Sequence, residues 1–399
     1  MLAAVPPDGI SQTDFYKLIK PFVCNLKDGH TYILSPANAA NNREKGYLPV
    51  RFKVADDAIF VIEACQPYEY LLGSQLSGAA GYSIDELREI IGNIFPCENE
   101  LSASRRVTRY LQSRRSVYLI KEDIDAEVSI DFLKPDGENL NITLPYSAIT
   151  DAKWINTKWS GTEWEKDSKN PPPFYHRIWP EKNAAYFRIK TVMSREAFEL
   201  MRANGRTDID NFLSQFYKQH LKTEMPENID EAIDGAPSLT EIAINLLTEM
   251  KKQKVENLMI DLRGNDGGWS AIAKPLYYML AGDDYFGMDD PIFFATRMSD
   301  KYLDINGTTL DKYNKKHETN YVMGDLLVSE PDKEYTAREQ REKYFERHKE
   351  PGLSFIKKID ALIGKPLYSP KLYVLSDPGT FSAAYDMLYQ LWRLGAKVV

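Results

Sequence analysis

Histidine and cysteine are the scarce residues of this chain, with five of the first and three of the second in 399 positions. Cys24, Cys65 and Cys97 are too few and too scattered for a disulfide framework or a zinc site, so at most one bridge is open and the redox compartment is undecided. Long apolar runs are missing too. None approaches the roughly 20 residues of a membrane-spanning helix, and Met1 to Pro7 has neither the basic region nor the apolar stretch of a signal peptide, although one removed upstream would leave no trace. Positive charge is not in excess: Lys and Arg number 50 against 58 Asp and Glu, a net charge of -8. That balance argues against a nucleic-acid partner and for plain solubility. Internal repeats and low-complexity tracts are absent.

What is present is ordinary in bulk and specific in two places. A hydrophobic fraction of 43% with 27% charged residues is that of a globular protein, and the length exceeds one compact core, so two or three domains are expected. The first specific place is Asp377-Pro378-Gly379-Thr380-Phe381-Ser382-Ala383-Ala384-Tyr385. Lys371 to Ser376 is an apolar segment of strand length, and Ala384, Met387, Leu388, Leu391 and Leu394 recur at helical spacing after it. A strand therefore ends, the chain turns, and a helix starts with Ser382 in its first turn. A serine at such a turn is commonly a helix cap. It can also be a nucleophile, with its hydroxyl clear of the sheet and the unpaired amides of the helix start offering positive potential to an oxyanion.

The second place is Val255 to Ser270, where an apolar strand runs into Asp261-Leu262-Arg263-Gly264-Asn265-Asp266-Gly267-Gly268. Glycines there let backbone amides approach a bound atom closely. A plain turn or a phosphate loop would also use them, but the Lys-Ser/Thr of a Walker-type loop is lacking. This stretch resembles the Asp-Leu-Arg-x-Asn-x-Gly-Gly motif of the tail-specific (C-terminal processing) serine peptidases, and Gly379 to Ala384 resembles that family's nucleophile motif. Gly268 and Ser382 are 114 residues apart (268 to 382), longer than the family pattern, so an insertion lies between them.

A third match comes from the amino-terminal region. Leu26-Lys27-Asp28-Gly29-His30-Thr31 resembles the family's amino-terminal motif, and in its tricorn-like and chlamydial-protease-like branches a histidine here is the general base. A lone histidine beside a turn is otherwise a surface or structural residue. The resemblance thus implies His30 as base for Ser382, which needs one, because a hydroxyl is a weak nucleophile at neutral pH. It also implies an oxyanion site from the amide of Ala383 and that of Gly267 or Gly268, with Asp261 and Arg263 as a structural pair fixing the loop. No metal or organic cofactor is implied.

The expected organisation has four parts. Residues 1–45 carry the His motif, led by a helix whose apolar face is Phe15, Leu18, Ile19, Phe22 and Val23. Residues 46–150 read as a mostly β module, with hairpins around Asp56-Asp57 and around Pro135-Asp136-Gly137. Gly73 to Leu76 and Gly81 to Leu87 resemble a PDZ domain's run from central strands into a helix, without a clean carboxylate-binding loop. Ile90 to Tyr118 is a helical insertion whose arginines (105, 106, 109, 114, 115) read as a solvated face. Residues 151–183 form a linker with Trp154, Trp159, Trp164 and three prolines. From 184 to 399, strand-helix alternation gives an α/β core with parallel pairing, which the resemblance makes crotonase/ClpP-like. Within it, 283–367 is an insertion, helical over Lys333 to Glu350, and His317 and His348 take no role.

The implied function is a serine endopeptidase acting on proteins or peptide tails, in an extracytoplasmic setting, with the oligomeric state undetermined. One departure stands against it. The lysine or acidic residue that completes the site in the family's branches would lie beyond Val399, which is seventeen residues past Ser382. A truncated chain, a completing partner chain and an inactive member each account for that, and Gly395 to Val399 reads as the start of a strand, favouring the first. The alternative function is a non-catalytic ligand- or peptide-binding protein on the same core, as in the retinoid-binding relatives of the family.

Overall fold

In the computed structural model, the described residues are 5–7, 9–34, 46–124, 126–147, 153–156, 172–288, 295–328, 335–349 and 356–399. Trp159 and Trp164 fall outside them. The chain divides into two compact units. The first comprises Met1–Pro171, Leu262–Asp266 and Ser376–Phe381, and the second Pro172–Asp261, Gly267–Leu375 and Ser382–Val399.

The first unit is a sheet with helices packed on one face. Its strands are β1 (Val50–Ala55), β2 (Ala58–Cys65), β3 (Gln75–Ala79), β4 (Tyr82–Ser83), β5 (Glu127–Leu133), β6 (Asn139–Pro145) and β7 (Trp154–Asn156). They run in the order β1-β2-β3-β5-β6, with β4 on β3 and β7 on β2. Both expected hairpins form. Asp56 takes φ 49° between β1 and β2 and Gly137 takes φ 88° between β5 and β6, the left-handed conformation that tight antiparallel turns demand. The helices are α1 (Gln12–Cys24), α2 (Ile84–Ile94), α3 (Glu100–Gln112) and the short α4 (Arg114–Val117). A reciprocal capping box between Ser83 and Glu86 starts α2, because each satisfies an amide the other leaves open. Leu87 and Ile91 on α2 and Val107 and Leu111 on α3, each pair four apart, meet Val50, Ile59, Val61, Ile130 and Phe132 of the sheet in one core.

Two expectations change here. Arg105, Arg106, Arg114 and Arg115 are half-buried and only Arg109 is exposed, so the arginines are packing residues more than a solvated face. The Arg106 guanidinium lies over the Phe95 ring, 3.5 Å from its centroid. In α1 the buried stripe is Tyr16, Lys20 and Cys24, while Phe15 and Phe22 are 44% and 63% exposed. The Lys20 stem and the Tyr16 ring cover apolar surface as a phenylalanine would, with the Lys20 ammonium against the Tyr16 hydroxyl. Leu18, Ile19 and Val23 of the expected face are half-buried, so polarity alone placed the buried face only in part.

The second unit has a five-stranded sheet in the order β14-β13-β10-β9-β8. Its strands are β8 (Phe174–Trp179), β9 (Ala184–Ile189), β10 (Asn257–Asp261), β13 (Lys371–Leu375) and β14 (Lys397–Val398). Four of them are parallel, and β8 is an antiparallel edge. Before β10 come α5 (Arg195–Ala203), α6 (Ile209–Phe216), α7 (Ile229–Gly235) and α8 (Leu239–Gln253). Between β10 and β13 lie α9 (Lys274–Ala281), α10 (Asp283–Phe286), the ribbon of β11 (Ala295–Arg297) and β12 (Leu326–Val328), α11 (Asp300–Ile305), α12 (Leu310–His317), α13 (Ala337–Lys349) and α14 (Ile356–Asp360). Finally α15 (Ala383–Arg393) separates β13 from β14. The alternation expected from 184 onward is thus observed as a mixed α/β fold.

The reach from 151 to 183 is not simply irregular. It contains β7, paired to β2, and β8, paired along its whole length to β9. The prolines before Phe174 hid an edge strand that buries Phe174 and Trp179 and needs ladder bonds on one side only.

Candidate active site

In the second unit, β10 and β13 lie side by side, Asp261 opposite Leu375. The two stretches singled out in the sequence therefore leave neighbouring strands at the same carboxyl edge, where ligands of open parallel sheets gather. The loops that leave them, Leu262–Asp266 and Ser376–Phe381, belong to the first unit, and there they are knitted together. Asp377 Oδ1 accepts the amide of Gly264 at 2.7 Å and that of Gly379 at 2.8 Å. Thr380 Oγ1 donates to the Leu262 carbonyl at 2.9 Å, and the Phe381 amide donates to the carbonyl of fully buried Asn265 at 3.0 Å. A Cβ on Gly379 would stand 2.9 Å from the Gly264 Cα, so the glycine is there for a close backbone crossing.

Ser382 comes after this turn as the residue before α15, and its backbone is at φ 56°, ψ -128°. A β-carbon is disfavoured in that region, which costs of order 1–3 kcal/mol and persists only where the surroundings impose it. The side chain is half-buried and caps none of the helix amides. Its carbonyl instead takes the amides of Tyr385 at 2.8 Å and Asp386 at 3.0 Å. The ordinary explanation for a serine at a helix start, a hydroxyl bonded to a first-turn amide, does not apply. Ala383, next in the chain, opens the helix, where amides have no partner one turn back.

Gly267 and Gly268 lie in the second unit at φ 103° and 148°. The Gly267 carbonyl accepts the Val192 amide at 2.8 Å and the Thr191 hydroxyl at 3.3 Å, and the Trp269 amide donates to the Val192 carbonyl at 2.7 Å. A Cβ on Gly268 would collide with that carbonyl. The glycine pair is thus laid against the segment after β9 and held rigidly. Close by in sequence, Ser270 Oγ donates to Asp386 Oδ2 at 2.5 Å, joining the end of this loop to the first turn of α15.

Asp261 is fully buried, and β9 supplies partners for both its oxygens. Arg188 Nη1 lies 2.6 Å from Oδ1 and Tyr186 Oη 2.7 Å from Oδ2. It ties β9 to β10 at the edge from which the glycine loop departs. Arg263 is half-buried in the first unit.

His30 lies in the first unit, in an exposed turn just past α1. Its ring stacks on that of Phe381, centroids 4.7 Å apart and planes 16° off parallel, so the residue before Ser382 forms the floor under the imidazole. Asp28 organises the turn: its oxygens accept the His30 amide at 3.1 Å and the Thr31 hydroxyl at 2.5 Å. Its Oδ1 also lies 3.7 Å from His30 Nδ1. The Thr31 and His30 hydrogen bonds hold the Asp28 carboxyl below its usual range. Beyond the turn, Glu98 accepts the Gly29 amide at 2.9 Å.

Asp377 and Phe381 lie in a stretch singled out from the sequence but took no role there, and Glu98 was not singled out. An aspartate before Pro-Gly at a strand end signals a side chain bonded to its own turn, which could have marked Asp377. Glu98 is 69 residues from its partner and carries no local signal. Among the described residues no group of three or more His, Cys, Asp or Glu side chains could hold a metal ion, and no helix is long and apolar enough to cross a membrane. The three cysteines are free thiols, with Cys97 pushed up to about 11 by burial.

No family model matches the chain, and no curated protein does. Among solved structures it is similar to mature CPAF complexed with lactacystin, at 14% identity over 97% of this chain and 74% of that one, with a TM-score of 0.49. It is also similar to the photosystem II D1 C-terminal processing protease, at 14% identity over 100% of this chain and 71% of that one, with a TM-score of 0.33.

Proposed function

We propose that this chain is a serine endopeptidase that cleaves proteins or peptide tails, with Ser382 as nucleophile and His30 as general base. The observation that carries the reading is the state of Ser382: a strained backbone at a strand-to-helix turn, with a side chain that does not cap. Strain of this kind persists only where the surroundings impose it, and it clusters where a side chain must be aimed.

The chemistry is set by these groups. Ser382 Oγ forms a bond to the scissile carbonyl carbon as His30 takes its proton. The negative charge that develops on the carbonyl oxygen meets the Ala383 amide and that of Gly267 or Gly268, each such donor contributing about 3 kcal/mol in a dry site. Collapse breaks the C–N bond, and the imidazolium returns the proton to the leaving amine. Water, deprotonated by the same imidazole, then releases the acyl group. Asp28 holds the backbone of the turn, with Oδ1 3.7 Å from Nδ1 of the ring, and Asp261 with Arg263 supports the glycine loop. In this reading the parallel-sheet unit is a crotonase/ClpP-like core and the sheet over residues 46–150 is PDZ-like, receiving substrate tails.

Incubation with an unfolded protein tests the proposal. The wild type yields fragments, and Ser382→Ala lowers the rate by about 10³-fold or more. Equal behaviour of the two leaves the non-catalytic binding protein as the reading.

A further inference from the structure

The carboxylate of Glu98 stands apart from the chemistry but not from the turn that bears His30. Its Oε1 accepts the Gly29 amide at 2.9 Å, and its Oε2 accepts the Ser102 hydroxyl at 3.1 Å. Ser102 is itself fixed, since its amide donates to the Asn99 side chain at 2.8 Å in the first turn of α3. Both oxygens are therefore engaged, and the direction of the carboxylate is set by a helix start. On the other side, Gly29 is buried and has no room for a β-carbon, which would run into Glu98 Oε1 and stand 2.9 Å from the Phe381 ring. The backbone before His30 is thus closed in between Glu98 and the ring on which the imidazole stacks. The same helix reaches the other loop of this unit, where Arg105 Nη2 lies 2.5 Å from Asp266 Oδ1.

We propose that Glu98 is a positioning residue: through the Gly29 amide it holds the turn that presents His30. The inference rests on the reading of His30 as general base. An acidic residue near a helix start also complements the helix dipole, and a role of that kind alone would touch only the stability of α3. A carboxylate bond to a backbone amide is among the stronger hydrogen bonds. Freeing the Gly29 amide lets the imidazole drift, and misplacement by about 1 Å can lower turnover by about 10²-fold.

Glu98→Ala and Glu98→Gln separate the two roles, because glutamine keeps an acceptor oxygen for Gly29 and alanine does not. Hydrogen exchange over residues 28–31 and steady-state kinetics are read on both variants of the full chain. The expected result is faster exchange across the turn in Glu98→Ala, with kcat down about 10- to 100-fold and KM within about twofold. In Glu98→Gln, exchange is near the wild type and most of kcat returns. Unchanged exchange in Glu98→Ala overturns the proposal whatever the activity, and so does faster exchange with undiminished kcat. If Ser382→Ala cleaves as well as the wild type, the peptidase reading falls separately, and the exchange measurement alone decides whether Glu98 holds the turn.

Discussion

The turn that carries Ser382 and the turn that carries His30 are built in opposite ways. The first comes after a buried strand, and its frame is mostly main chain: parallel ladders below it, and backbone amides and carbonyls of Leu262, Gly264, Asn265, Gly379 and Phe381 locked through Asp377 and Thr380. The second comes after a surface helix, and its frame is side chains: Asp28, Glu98 and the face of Phe381, around a histidine whose side chain is 59% exposed. The difference teaches where strain can be kept. A residue at φ 56°, ψ -128° needs an enclosure that cannot relax, whereas an imidazole needs only to be aimed.

That contrast predicts that the His30 turn can lose function without losing fold. His30→Ala is expected to lower kcat by about 10²- to 10⁴-fold while the thermal midpoint stays with the wild type. A midpoint that falls along with activity would break the comparison, and undiminished turnover would remove His30 as base. The Ser382 turn should behave otherwise. Asp377→Ala strips one carboxylate from two amides, each such bond worth about 1.5–3 kcal/mol. Urea unfolding should therefore show lower stability, and kcat should fall by about 10²-fold, because the enclosure around Ser382 loosens. Loss of activity at full stability would show that the side chains alone frame this turn.

The smallest effect is expected on α1, the helix that leads into the His30 turn. Lys20 is buried, and burial lowers its pKa from 10.5 to about 8. Unfolding then takes up a proton between those values, so stability should rise as pH increases from about 8 to 10.5, and the full penalty is present below 8. Lys20→Met, similar in length and apolar, should be more stable at pH 7 by about 2 kcal/mol and lose that slope, without a change in kcat. A slope that persists in Lys20→Met would assign the pH dependence to another group.

The strands on which the site depends were legible in the sequence. Apolar runs of strand length located β9, β10 and β13, the last two ending in polar residues and glycine, and helical spacing after Ser382 located α15. Other elements were hidden for physical reasons. Edge strand β8 carries no continuous apolar run, since His176 and Arg177 interrupt it and only Phe174 and Trp179 at its ends are buried. The buried face of α1 was placed only in part, because a lysine stem and a tyrosine ring bury as well as phenylalanine does.

By itself the sequence determined which residues could do chemistry: one serine at a strand-to-helix turn, one glycine pair after a strand, one histidine beside a turn. These are local patterns, because dihedral freedom and side-chain period are properties of short segments. Only the tertiary structure decided that Asp377 staples two loops 113 residues apart, that Phe381 lies beneath the His30 ring, and that the Ser382 hydroxyl does no capping. Such pairings depend on which strands lie adjacent and in what register, and no window of sequence contains that information.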